Sequence, residues 1–117
     1  ATSTAGVFGK MPGRVGDTPL PGAGSWADDR VAVSATGVGE YFIRTVACVQ
    51  TAWRAAAGQS LAEAAQATID DVGSLGGDGG LIALDREGNL AHRYNSEGMK
   101  RAWLTTGGDI GVEVFGR

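Results

Sequence analysis

Two groups of residues in this chain could do chemistry on a small polar molecule. The first is Arg14 with Asp17, three residues apart. A guanidinium fork matches a carboxylate in bidentate fashion, and an aspartate accepts from an ammonium. Together they could grip the two charged ends of an amino acid. The plainer alternative is that they pair with each other on the surface, which would add little stability. The second group is Thr36-Gly37-Val38-Gly39, at the end of the stretch VAVSATGVGE from Val31 to Glu40. Here a strand runs into a turn and the turn opens a helix. The free N–H groups of a helix's first turn attract anions and developing negative charge. Glycine lets the backbone approach a ligand, and Thr36 adds a hydroxyl donor. A tight strand-to-helix turn without a ligand is the competing reading.

The elements that must position these residues can be read from pattern. Val31, Ala32 and Val33 open a strand after the polar turn Asp28-Asp29-Arg30. An amphipathic helix is expected from Glu40 to about Ala57. Its stripe is Phe42, Val46, Val49 and Trp53, with Ile43 and Ala47 beside it. Cys48 reads as a packing cysteine within that helix. Gly58 ends it, and Ser60 with Glu63 forms a capping box for a second helix. Leu61, Ala64, Ala65, Ile69 and Val72 give the second helix its buried face. Thr68 lies on the same face, where its hydroxyl can bond a carbonyl one turn earlier.

The remainder reads as loops and strands. Gly9 to Gly24 is a Pro- and Gly-rich loop carrying Arg14 and Asp17. Within it Gly22-Ala23-Gly24 resembles half a dinucleotide fingerprint, but it follows prolines and lacks the third glycine. Gly73 to Gly80 lacks the Lys-Ser/Thr ending of a phosphate loop and reads as a connection. Leu81–Leu84 and Leu90–Tyr94 form a hairpin around the turn Asp85 to Asn89. His92, in that hairpin, reads as structural. Asn95 to Gly98 turn the chain, Trp103 packs, and Gly111 to Phe115 is a last strand. Thr2, Ser3 and Thr4 favour an extended chain. The chain reads as starting within a strand, as a fragment or a cut subunit would. Two helices among mainly antiparallel strands give a layered α+β arrangement.

Composition narrows the function classes. The 117 residues make one small domain or part of one, and 43% apolar residues suffice for a core. A net charge of −3 with scattered basic residues argues against a nucleic-acid footprint. No apolar run approaches a membrane span, and no secretory leader is visible. One cysteine excludes an intrachain disulfide, so a reducing, cytoplasmic compartment is the expectation. No ligand cluster points to a metal or other cofactor.

Thr2-Ser3-Thr4, Gly13-Arg14-Val15-Gly16-Asp17 and Thr36-Gly37-Val38-Gly39-Glu40 together resemble the plant-type asparaginase and isoaspartyl-peptidase family. These are N-terminal-nucleophile hydrolases, similar also to glycosylasparaginases. The likeness spans nearly the whole chain, including LAEA, GGDGGLIALD and SEGMKRAW. It implies a four-layer αββα sandwich shared between an α-subunit and a β-subunit from one self-cleaving precursor, assembled as an (αβ)2 heterotetramer. Residues 1–117 would be a single domain portion of the β-subunit. The implied activity is hydrolysis of the side-chain amide of L-asparagine or the isopeptide bond of β-aspartyl dipeptides. The resemblance assigns Thr4 to support of the nucleophile, and Arg14 and Asp17 to the substrate's α-carboxylate and α-amine. It assigns Thr36 and Gly37 to the oxyanion hole and Gly39 to an adjoining substrate contact. In the family the nucleophile is the threonine that begins the mature β-subunit, its own amine acting as base. The chain departs from that pattern by beginning with Ala1, so the nucleophile and its strand are expected outside it. Ala5 stands where many relatives have glycine, and Val38 where a polar residue is frequent. A binding module that captures an amino acid without chemistry is the alternative function.

Overall fold

The computed structural model describes residues 1–2 and 8–116. Its frame is one antiparallel sheet with helices on one face. Strands β1 (Ser25–Ala27), β2 (Val31–Gly37), β3 (Gly79–Asp85) and β4 (Leu90–Tyr94) lie side by side in that order. Helices α1 (Gly39–Thr45), α2 (Ala47–Ala56) and α3 (Leu61–Ser74) run between β2 and β3. Strands β5 (Arg101–Leu104) and β6 (Ile110–Glu113) form a separate antiparallel pair. The α+β class expected from the sequence is what the chain adopts.

The alternation of a strand decides which face is buried. On β2, Val31, Val33 and Ala35 are buried while Ala32 is exposed. The inward set meets Phe42, Ala47, Cys48, Ala52, Leu61, Ala65, Ile69 and Val72 from the helices and Leu81, Ala83 and Ala91 from the sheet. The opposite face is partly open, with Leu84 and Leu90 about half exposed. Part of it is covered by the β5–β6 hairpin. There the Trp103 ring stacks on His92, with centroids 5.6 Å apart and planes at 18°. Burial, and next the Arg101 charge, hold the His92 pKa below its usual value. Arg101 is itself buried and paired with Glu113.

The second helix and the hairpin follow the sequence closely. The Ser60 Oγ accepts from the Glu63 amide at 3.2 Å, and the Glu63 carboxylate accepts from the Ser60 amide at 3.0 Å. Leu61, Ala64, Ala65, Thr68, Ile69 and Val72 are buried. The Thr68 hydroxyl donates to the Ala64 carbonyl at 3.0 Å. Gly58, just past α2, has φ +108°, the left-handed conformation a helix-ending glycine supplies. Two strands were not expected: β1 and β5 are three and four residues long. Strands so short carry too little alternation to show in sequence. The last strand is Ile110–Glu113 rather than Gly111 to Phe115.

The expected continuous helix from Glu40 to Ala57 is instead two helices. Val46 breaks it at φ 45°, ψ 50°, left-handed backbone. The break resets the helical phase. Phe42 and Val49 stay buried, but Ile43, Val46 and Trp53 do not, and Trp53 is 61% exposed. The inward face of α2 is instead Ala47, Cys48, Val49, Thr51 and Ala52. A left-handed residue with a branched side chain costs about 1–2 kcal/mol. The return is two hydrogen bonds that a continuous helix could not make. The Cys48 and Val49 amides donate to the Ala23 and Gly22 carbonyls at 3.2 and 2.9 Å. The start of α2 thereby holds the end of the Pro- and Gly-rich loop.

If Val46 stores backbone strain, Val46→Gly should relieve it. Glycine adopts φ +45° freely but loses ~0.5–1 kcal/mol of unfolded-chain entropy. The expected result is a melting temperature unchanged or raised by a few degrees. Val46→Ala, which keeps the penalty, should show no such gain. A fall of several degrees in the glycine variant would show that the left-handed break is not the strained point.

Candidate functional site

The candidate site is the corner where the Pro- and Gly-rich loop meets the end of β2. Three hydrogen bonds tie the loop and the N-terminal segment to Ala35, the residue before Thr36. The Ala35 amide donates to the Gly24 carbonyl at 2.9 Å. The Ala35 carbonyl accepts from the Thr18 hydroxyl at 2.9 Å and from the Thr2 hydroxyl at 3.1 Å. The Thr2 amide also donates to Ser34 Oγ at 3.1 Å. Thr4, expected to support the nucleophile, lies outside the described residues.

Two residues end β2 at this corner. By strand alternation Thr36 projects onto the face away from the helices, alongside Ala32 and Ser34. Ala35 turns its N–H toward the β1 side, and in an antiparallel ladder Gly37 does the same. The β1 ladder reaches only Ser34, so the Gly37 amide lies past its end. Gly37 must be glycine. A Cβ there would overlap the Asp78 carbonyl and come within 2.6 Å of the Phe42 ring and 2.7 Å of Gly79 Cα. Phe42 is fully buried beneath the turn, and the Val38 amide fastens the turn to the Asp78 carbonyl at 2.9 Å. Tertiary packing thus presets the backbone of this corner.

The loop closes on the same corner from the side. A Cβ on Gly39 would stand 3.0 Å from the Asp17 amide nitrogen, 3.3 Å from Gly16 Cα and 3.4 Å from Arg14 Nη2. Glycine at 39 therefore lets the Arg14–Asp17 segment lie against the start of α1. Arg14 and Asp17 do not form the surface pair weighed from the sequence. Arg14 Nη2 donates to Glu40 Oε1 at 2.8 Å, and that bond draws the Glu40 carboxyl below its usual range. Asp17 turns inward and is only 1% exposed. Its Oδ1 lies 3.3 Å from the Thr18 hydroxyl, which shares its proton with the closer Ala35 carbonyl, while its buried Oδ2 has no hydrogen-bond partner among the described residues.

Burial sets the electrostatics of Asp17. Desolvation pushes its carboxyl above the usual range, against the pull of the Asp17 and Thr18 amides, the Thr18 hydroxyl and the Arg14 charge. The Cys48 thiol, also buried, is pushed up to about 12 by burial and by the Asp17 carboxylate, so it stays a neutral packing group. A desolvated carboxylate with a free lone pair is a receptor for a cation of the right size.

Arg14, Asp17, Thr36, Gly37 and Gly39 are thus drawn to one corner. The sequence reading missed two participants, Glu40 as the partner of Arg14 and Thr18 as the link between Asp17 and Ala35. Each stands beside a residue that was singled out, and adjacency was the only signal. Two concavities lie elsewhere among the described residues. A groove of about 960 Å³ on the open sheet face is lined by residues such as Trp26, Ile82 and Trp103. A cleft of about 620 Å³ lies between the α2–α3 connection and the β3–β4 turn. Among the described residues, no group of three or more His, Cys, Asp or Glu side chains could hold a metal ion. No helix among them is long and apolar enough to cross a membrane.

Residues 1–113 match the model of the asparaginase family, and the chain belongs to that family. It is 55% identical over 106 residues to an isoaspartyl peptidase of Salmonella typhimurium, covering 88% of this chain and 34% of the relative. It is 42% identical over 106 residues to a plant-type L-asparaginase of Pyrobaculum calidifontis, covering 88% of this chain and 36% of the relative. An isoaspartyl peptidase/L-asparaginase of Bos taurus is 42% identical over 101 residues, covering 85% of this chain and 33% of the relative. The chain therefore spans about a third of the length of these relatives.

The raised carboxyl of Asp17 has a definite sign. Its folded pKa lies above the unfolded value of 3.8, so the folded state binds the proton more tightly. Stability is then highest below that value and falls as pH rises toward the folded pKa. Asp17→Asn removes this dependence. In the full-length protein without ligand, the variant should melt a few degrees above wild type at pH 7. The gap should close near pH 3.5. Equal melting temperatures at both pH values would mean that Asp17 is not desolvated as described.

Proposed function

We propose that this chain supplies the amino-acid-binding and oxyanion-stabilising half of a threonine amidohydrolase. The substrate is L-asparagine, a β-aspartyl dipeptide, or both, and the bond cleaved is the amide at the side-chain carbonyl. The observation that carries the reading is Asp17, buried with one oxygen unpartnered among the described residues, beside the Arg14 guanidinium. Asp17 takes the substrate's α-ammonium, whose charge compensates a carboxylate that burial otherwise penalises. Arg14 takes the α-carboxylate and shares its fork between the ligand and Glu40. Those two contacts orient the side-chain amide toward Thr36 and Gly37, with Gly39 as the neighbouring wall.

The chemistry assigned to the corner is stabilisation of charge. A threonine hydroxyl attacks the side-chain carbonyl, and the carbonyl oxygen becomes an oxyanion. The Thr36 hydroxyl and the Gly37 N–H donate to it. Because α1 has seven residues, these two local donors rather than a long helix field carry the effect. Collapse of the adduct expels ammonia or the amine of the dipeptide's second residue, and water then frees aspartate from the ester. The attacking residue is the N-terminal threonine of the mature β-subunit, its α-amine taking the hydroxyl proton. It lies outside this sequence, with Thr4 as its support.

The same reading supplies partners. The sheet face away from the helices carries Ile82, Leu84 and Leu90, only partly covered. A second sheet laid on that face, contributed by the α-subunit, would complete a four-layer αββα sandwich. Two such αβ pairs would form the heterotetramer, in the cytoplasm.

Two variants of the full-length, self-cleaved protein test these roles. Arg14→Ala should raise KM for asparagine by roughly 10–100-fold, the equivalent of a charged hydrogen bond of ~1.5–3 kcal/mol. Unchanged KM and unchanged kcat/KM would remove Arg14 from the site. Thr36→Val keeps the shape and deletes the hydroxyl, and should lower kcat by ~10²–10³ with little change in KM. If KM rises while kcat holds, Thr36 is a ground-state contact. Aspartate binding without any hydrolysis by the wild-type protein would favour the binding module instead.

A further inference from the structure

The segment Gly22-Ala23-Gly24 has no counterpart in the roles assigned so far, yet it sits directly between Asp17 and α2. Its polar groups point in two directions. Toward the helix, the Gly22 and Ala23 carbonyls accept from the Val49 and Cys48 amides at 2.9 and 3.2 Å. Those amides belong to the first turn of α2 and are free because Val46 breaks the helix before them. Toward the loop, the Ala23 and Gly24 amides both donate to the Leu20 carbonyl at 3.1 Å. The Leu20 amide in turn donates to the Asp17 carbonyl at 2.9 Å. Asp17 to Gly24 thus closes into a small ring of turns riding on the start of α2.

Gly24 fixes how tightly that ring closes. A Cβ at Gly24 would overlap the Asp17 carbonyl oxygen and carbon and Thr18 Cα. All three belong to backbone, so no side chain can swing aside. Gly24 also accepts the Ala35 amide through its own carbonyl, at 2.9 Å. One residue therefore touches both the backbone of Asp17 and the strand that ends in Thr36 and Gly37. Gly22 has φ +88° and needs glycine for conformation; a Cβ there would meet the Val49 side chain, Cγ1 at 3.5 Å and Cβ at 3.8 Å, both ordinary contacts.

We infer that Gly22-Ala23-Gly24 is a positioning element that sets the depth of the Asp17 carboxylate, and that Gly24 thereby determines selectivity for substrates bearing an α-ammonium. The inference rests on the reading of Asp17 as the amine receptor. Neither glycine is a catalytic residue. Each acts through Asp17, by fixing where its backbone lies relative to Ala35. A Cβ at Gly24 forces the Asp17 backbone aside, which opens its carboxylate to water or moves it off the ammonium. The contact of Arg14 with the substrate's carboxylate is left in place, and any shift of the strand that ends in Thr36 and Gly37 acts on substrates with and without the α-ammonium alike.

The test compares L-asparagine with succinamic acid, which is asparagine without its α-amino group, in the full-length self-cleaved protein. The readout is the ratio of kcat/KM for the two compounds. Gly24→Ala should lower this ratio at least 10-fold, mostly through KM for asparagine. Gly22→Ala, which strains the turn without a clash, should lower it about 3-fold. Asp17→Asn is the reference variant and should lower it most. A merely structural role would reduce turnover of both compounds alike and leave the ratio unchanged. If Asp17→Asn lowers the ratio and neither glycine variant does, the inference fails while the reading of Asp17 stands. If Asp17→Asn leaves the ratio unchanged, the reading of Asp17 fails and the inference with it. Should Gly24→Ala not fold, Gly22→Ala decides alone, and an unchanged ratio in it overturns the inference.

Discussion

Much of the local structure around the candidate site follows from keeping one carboxylate out of water. Asp17 is almost fully buried and one of its oxygens has no partner among the described residues. An aspartate left to itself would turn outward, because water stabilises the charged form by more than a nearby hydroxyl can. It stays inward because its backbone is fixed from three sides. Gly24 lies against its carbonyl, Gly39 against its amide, and the neighbouring Thr18 hydroxyl is bonded to Ala35. Each contact is available only because a side chain is missing or short at that point. The glycines of this region are therefore space for a backbone to occupy, and the left-handed Val46 is part of the same arrangement.

The sequence made the elements legible where local rules decide them. The capping box at Ser60 and Glu63, the buried face of α3 and the β3–β4 hairpin needed no tertiary information. The long stripe from Phe42 to Trp53 misled for a physical reason. Helical periodicity assumes a constant phase, and the apolar residues either side of Val46 fit one phase by composition alone. What broke the phase was a demand from elsewhere, the two carbonyls of Gly22 and Ala23 waiting for amide donors. A residue with a strong preference against left-handed backbone gives no local warning of such a break. The short β1 and β5 were invisible for a related reason, since pairing with a neighbour defines them more than their own pattern.

The candidate site was legible as residue types but not as geometry. Arg14 and Asp17 could be named as an amino-acid grip because a guanidinium and a carboxylate close together suit a zwitterion. Their separation in environment could not be read. Arg14 remains partly exposed and engaged with Glu40, whereas Asp17 is buried. Two opposite charges three residues apart would pair in water, and the loop prevents this by turning one inward. The sequence also overstated the field of the helix after Gly39, because the break leaves α1 at seven residues.

On the proposed reading of Thr36 and Gly37 as oxyanion donors, that shortening shifts the burden of anion stabilisation from a macrodipole to individual donors, and the difference has a structural consequence. A helix field acts over a turn or more and tolerates small displacements. Single donors do not, because a hydrogen bond weakens steeply with distance and angle. A corner that works through Thr36 and Gly37 alone must therefore be rigid. Its rigidity comes from the buried Phe42 ring under Gly37, the Asp78 carbonyl on the Val38 amide, and the paired glycines Gly79 and Gly80 of β3 opposite. Gly37 and Gly79 come close enough that neither could carry a side chain. Close backbone approach is here a substitute for helix length. It fixes the two donors to the sheet itself, the stiffest part of the fold, and leaves the loop with Arg14 and Asp17 to be adjusted separately through its own seat on α2.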